Sequence, residues 1–163
     1  MDLPKRKPTR LKNYGYSQNG YYFITICTHN KQKILCNIVG EGFPLPQLTE
    51  NGEILKNIIL SVNKKYNCVN IDKYVIMPNH IHIIFCIQNN GRGDPSPTIS
   101  HVVGWLKYNA TTQVNKKNNT SGYKIFQRSF HDHIIRGEKD YLKIWNYIDT
   151  NPQKWKEDCF YTE

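Results

Sequence analysis

The five cysteines, at 27, 36, 68, 86 and 159, form no CxxC pair or other zinc-like spacing, which excludes a zinc ribbon or finger. An odd count without a secretory leader fits free thiols in a reducing cytoplasm better than a disulfide framework. Cys27 and Cys86 sit in apolar runs and read as small core residues. No apolar stretch has the length of a membrane span. The charged, proline-containing opening from Met1 to Lys12 has no hydrophobic segment behind it, so it is not a secretory leader. Acidic residues are also scarce, 13 against 22 Lys and Arg, for a formal net charge of +9. Such a balance suits a polyanionic partner, nucleic acid first and an anionic membrane surface second. No internal repeat and no second domain are visible.

What remains is a 163-residue chain, one domain of ordinary size, rich in aromatics with 11 Tyr, 6 Phe and 3 Trp. Residues 1–19 read as a basic N-terminal arm, with Lys5, Arg6, Lys7, Arg10 and Lys12 around Pro4 and Pro8. A phosphate-tracking role suits that composition. Residues 20–163 read as a single domain.

Gly20 to Thr28 has the aromatic and β-branched composition of a strand. Asn37 to Thr49, broken by Gly40, Gly42, Pro44 and Pro46, reads as irregular. Glu50 to Tyr66 reads as a helix with Thr49 as N-cap and an apolar stripe of Ile54, Leu55, Ile58, Ile59 and Val62. Val69 to Ile76 is a second strand, and Pro78 and Asn79 turn it into a third as an antiparallel hairpin. A polar loop from Asn89 to Thr98, whose Arg-Gly-Asp is coincidental in a cytoplasmic protein, leads to a helix from Ile99 to Val114. Phe126 to Ile135 is a fourth strand and Glu138 to Thr150 a last helix, stopped by Pro152. The order β-α-β-β-α-β-α predicts an α+β, ferredoxin-like split βαβ fold. Its four-stranded, largely antiparallel sheet carries helices on one face, with an appended C-terminal helix.

The third strand carries His80-Ile81-His82. Strand side chains alternate between faces, so the two imidazoles share one face while Ile81 points into a core. Two neutral imidazoles a few ångströms apart supply most of a simple metal site. On the last helix Tyr147 and Asn151, four apart, share a face. A phenol is a poor nucleophile at its ordinary pKa near 10. Beside a cation that polarises a phosphodiester it can attack phosphorus, and an amide oxygen one turn away could complete the cation's ligands.

Four segments together resemble the single-tyrosine HUH transposases, and among them the REP-associated tyrosine transposases, a branch of the insertion-sequence transposase-like family. They are Gly20-Tyr-Tyr-Phe-Ile-Thr-Ile26, Tyr74-Val-Ile-Met-Pro-Asn-His-Ile-His82, Phe130-His-Asp-His-Ile-Ile-Arg136 and Tyr147-Ile-Asp-Thr-Asn-Pro152. The resemblance implies that His80 and His82 bind metal, that Tyr147 is the nucleophile, and that Asn151 is the third ligand, a position often held by glutamine in the wider family. Tyr141 is the rival nucleophile, ten residues before Asn151. The implied cofactor is Mg²⁺ or Mn²⁺ and the implied partner single-stranded or hairpin DNA, cut through a 5′-phosphotyrosine link by a monomer or homodimer.

Arg10, Lys12, Tyr14 and Tyr16 combine cations with rings, as do Lys107, Tyr108, Lys116 and Lys117. Arg128 and Arg136 flank the fourth strand and are further candidates for DNA contacts. His131-Asp132-His133 is a second HxH, but an acid replaces its apolar middle residue, so His133 reads as structural or substrate-contacting. His29 and His101 show no partner. A histidine-triad hydrolase would need a third His where Ile84 stands. The alternative from another class is a domesticated, non-catalytic nucleic-acid-binding module on the same fold.

Overall fold

The computed structural model describes residues 15–89 and 97–162. Most of the basic arm, including Arg10, Lys12 and Tyr14, and most of the polar loop before the second long helix lie outside the described residues.

Four strands form one antiparallel sheet: β1 (Gly20–Cys27), β4 (Val69–Ile76), β5 (His80–Ile87) and β6 (His131–Ile135), in the spatial order β4-β5-β1-β6. The central strand β5 is buried along its whole length, as its apolar, β-branched sequence requires. Alternation then sorts the sheet into two faces. Tyr22, Ile24 and Ile26 of β1 join Ile81, Ile83, Phe85 and Ile87 of β5 in a core roofed by α1 (Glu50–Leu60) and α3 (Ile99–Lys117). The opposite face gives Val75, Met77, Ile84 and Ile135 to a smaller core closed by α4 (Glu138–Thr150) and Trp155. This is the expected α+β arrangement, with the appended helix on the face that the other helices leave free.

Four local differences have physical causes. The stretch expected to be irregular contains a two-stranded hairpin, β2 (Cys36–Val39) and β3 (Leu45–Leu48). Pro46 is compatible with this ribbon because both of its strands are edges, the part of a sheet in which proline is accommodated. The helix expected over 50–66 breaks at Ser61, whose hydroxyl donates to the Ile58 carbonyl at 2.8 Å; a single turn, α2 (Val62–Lys65), follows. Helix α3 runs three residues beyond the expected Val114. The fourth strand is shorter than expected, since only Phe126 bridges Thr28 before the ladder resumes at His131. Between them the Lys107 ammonium donates to the Gln127 and Arg128 carbonyls, drawing this segment off the sheet toward α3.

Candidate active site

His80 and His82 open β5, directly paired with Cys27 and Thr25 of β1. Their side chains share the α4 face of the sheet, and their Nε2 atoms lie 3.1 Å apart. That face is not open to solvent: His80 is 0% and His82 1% exposed. Phe23 stacks on His82 at 5.2 Å between ring centres, and Phe160 and Trp155 pack over His80 at 4.7 and 5.9 Å.

The outer nitrogens fix the inner ones. Asn79 Nδ2 donates to the Phe160 carbonyl at 2.8 Å, so its Oδ1 must be the acceptor facing His80 Nδ1 at 2.9 Å. His80 therefore carries its proton on Nδ1 and presents the Nε2 lone pair inward. His82 Nδ1 is paired with the Thr25 hydroxyl at 2.8 Å. Burial pushes His80 down to about 4, despite the opposing pull of Asp158, and holds His82 well below its ordinary 6.5, helped by His80 beside it. Both imidazoles are neutral at pH 7, the form that ligates metal.

Helix α4 brings the complement. The Tyr147 hydroxyl lies 3.3 Å from His82 Nε2, its ring 5.1 Å from that of His82, and its outer edge remains exposed. Burial, then the nearby Asp158 carboxylate, raises the phenol above its ordinary pKa. Asn151, one turn further on and 2% exposed, donates through Nδ2 to Asp158 Oδ2 at 2.6 Å. Its Oδ1 is buried with no hydrogen-bond partner among the described residues. A buried amide oxygen without a donor is costly unless something electropositive faces it.

Asp158 was not singled out from sequence. Its side chain is 1% exposed, with Oδ2 3.4 Å from the Tyr147 hydroxyl and 4.0 Å from His80 Nε2, while Oδ1 accepts from Phe160 N at 2.7 Å. His80, His82 and Asp158 each offer an atom within 4.8 Å of the others. Two imidazoles, a carboxylate and an orphaned amide oxygen form a donor set suited to a divalent cation taking nitrogen and oxygen ligands. Beside them a cleft of about 470 Å³ opens past Tyr147 and Asn151, with Lys143 and Lys154 on its rim.

Tyr141 is not brought to this cluster. Its hydroxyl donates to Asp72 and its ring meets Tyr21 at the other end of α4. His133 pairs with Asp140 at 2.8 Å on the surface, while Asp132 has a buried Oδ1 without a hydrogen-bond partner among the described residues. Arg128 and Arg136 are exposed, and Tyr16 packs partly buried near Tyr22. The Lys107 ammonium is held by two carbonyls, and its burial lowers its pKa.

Two expected outcomes test this geometry. Asn79→Ala frees the His80 ring and should weaken Mn²⁺ binding about 10- to 100-fold, measured by calorimetry, whereas unchanged affinity would refute the tautomer argument. The second concerns pH. Because both histidines are depressed in the folded protein, the unfolded chain takes up protons first as pH falls. Stability is then complete above about 6.5 and is lost progressively toward about 4, where His80 itself titrates. Urea midpoints in chelator should decline across this window, with a shallower decline when both histidines are replaced by Gln.

The family described as "Transposase IS200 like" matches residues 16–151. An uncharacterised protein of Haemophilus influenzae is 34% identical, over 97% of this chain and 94% of its own length. A REP-associated tyrosine transposase of Escherichia coli is 29% identical, over 85% of this chain and 70% of its own. In fold, the chain is similar to a REP-associated tyrosine transposase solved bound to a REP hairpin. The TM-score is 0.65 at 23% identity, covering 90% of this chain and 74% of that one.

Proposed function

The chain belongs to the IS200-like transposase family, and from that premise we propose that it cleaves and rejoins single-stranded DNA beside a hairpin through a covalent 5′-phosphotyrosine. The observation that carries this reading is the Tyr147 hydroxyl 3.3 Å from a buried, neutral imidazole pair. A nucleophile and a metal-type donor set close enough to share one phosphate have no evident use in a protein that only binds DNA.

His80, His82 and Asn151 would hold Mg²⁺ or Mn²⁺, with Asp158 adjoining them as an anionic donor. A cation bound there supplies positive charge at the scissile phosphate. The protein's own residues do the rest. Lys143 and Lys154 draw the phosphate into the cleft, and α4 holds Tyr147 on line with it. The Tyr147 oxygen forms a bond to phosphorus as the bond from phosphorus to the 3′ oxygen breaks. Asp158 Oδ2, 3.4 Å away, accepts the phenolic proton, and the departing 3′ oxygen takes one from water. The phosphoester is conserved, so a second 3′-hydroxyl can reverse the step and join new ends. Every group named comes from one copy of the chain, in keeping with a monomer, although a homodimer is compatible with the same chemistry. The five cysteines are free thiols, as suits a cytoplasmic setting.

The test is to incubate the protein with a DNA hairpin bearing a single-stranded flank and Mn²⁺ or Mg²⁺, then separate the products under denaturing conditions. A protein–DNA adduct with a released 3′-hydroxyl fragment supports strand transfer. A mobility shift on a native gel with no adduct would instead identify a binding module.

A further inference from the structure

A second groove lies away from the catalytic cleft, between the flank of α3 and the segment from Gly122 to Arg128. It encloses about 580 Å³, and its walls include Lys107, Tyr108, Tyr123, Lys124 and Arg128 but no carboxylate. The composition is unusual for an accidental surface hollow. Tyr108 is 70% and Tyr123 44% exposed, so two large rings face solvent where burial would otherwise be favoured.

The groove is built rather than loose. Tyr123 donates its phenolic hydrogen to Gln32 Oε1 at 2.5 Å, and its carbonyl accepts from Asn115 Nδ2 of α3 at 3.0 Å. The Lys107 ammonium, bound to the Gln127 and Arg128 carbonyls, ties α3 to the opposite wall. That ammonium is occupied, so the cations left to meet a ligand are Lys124 and Arg128, both exposed. The floor is fastened to the catalytic strands: His29 N donates to the Ile125 carbonyl at 2.8 Å and Gln127 N to the Cys27 carbonyl at 2.9 Å. Cys27 in turn pairs with His80, so one strand's width separates the groove floor from the strand carrying the imidazoles.

We propose that this groove binds the unpaired DNA strand that continues from the cleavage site, with bases stacking on Tyr108 and Tyr123 and the backbone following Lys124 and Arg128. Rings spaced between cations are the arrangement by which single strands are held without base-pair readout, whereas duplex presents no free base face to stack. The proposal deepens the strand-transfer reading and rests on it for the identity of the polymer.

The test uses the full chain and the double variant Y108A/K124A, whose two side chains are exposed and carry no fold contact described above. Affinity is measured in chelator for a hairpin with a single-stranded flank and for the same hairpin cut flush. The expected result is a loss of about tenfold or more on the flanked hairpin and none on the flush one, with a smaller salt dependence on the former. Equal affinity of variant and wild type for the flanked hairpin would overturn the proposal, as would an equal loss on both DNAs, which would assign the groove to duplex. Adduct formation keeps the two readings apart. A wild-type protein that forms no adduct yet loses flank binding on substitution would sink strand transfer and leave the groove standing. Adduct formation with unchanged flank binding would do the reverse.

Discussion

Tyr147→Phe is expected to reduce the covalent protein–DNA adduct to background while leaving hairpin affinity and fold intact. The substitution removes one oxygen, the only atom of that side chain able to bond phosphorus. The ring keeps its contacts with Phe23 and His82, at 6.1 and 5.1 Å between centres. The two hydrogen bonds lost are long, 3.3 and 3.4 Å, and Asp158 retains its bonds from Asn151 and the Phe160 amide. Stability should therefore change by no more than about 0.5 kcal/mol. Tyr141→Phe is the matched control and should form adduct at the wild-type level, because its hydroxyl is engaged by Asp72. Adduct surviving in the Tyr147 variant and vanishing in the Tyr141 variant would exchange their roles and dismantle the site described here.

The second large effect falls far from the chemistry. Gly52→Ala in an exposed helix would ordinarily stabilise by about 1 kcal/mol, since alanine is the better helix former. Here the sign should reverse. A Cβ at position 52 would lie 2.0 Å from the Leu35 carbonyl oxygen and 3.3 Å from Leu48 Cβ. The Leu35 oxygen cannot simply withdraw, because it accepts from both the amide and the hydroxyl of Thr49, the residue that caps α1 through Gly52 N. Relief requires α1 to separate from the loop before the β2–β3 hairpin, with a loss of about 3 kcal/mol. For a chain of this length the melting midpoint should fall by roughly 6 to 12 °C. An unchanged or raised midpoint would show that the contact yields at no cost.

How much of this was readable in advance depended on whether the signal was local. Alternation over Gly20–Cys27 and His80–Ile87 fixes which side chains share a face, so the imidazole pair and its opposition to Ile81 followed from the sequence. The four-residue spacing of Tyr147 and Asn151 likewise placed both on one side of α4. The pair's enclosure did not follow, because Phe160 and Asp158 belong to a segment past Pro152 with no periodicity to announce where it packs. Asn79 read as a turn residue, and it is one. Its second task, bonding Phe160 with one end of its amide and His80 with the other, depends on an 81-residue separation that no local pattern records. The shortening of β6 has a similar origin, in a lysine on α3 whose ammonium reaches across to two carbonyls. The hairpin within 36–48 was hidden for another reason: Gly40, Gly42 and Pro44 mark its turn, but Pro46 sits inside the second strand and breaks the strand signal.

The tight turn from Met77 to His80, closed by the Met77 amide on the His80 carbonyl at 2.9 Å, has a consequence for the order in which the molecule assembles. Strands joined this closely pair within microseconds and need little chain entropy to do so. Both imidazoles are thus aligned once residue 87 is available, while the phenol arrives only with a helix that begins at Glu138. A nascent chain therefore has its imidazoles in register well before Tyr147, Asn151 and Asp158 emerge, so the full donor set and the capacity to nick are both acquired last.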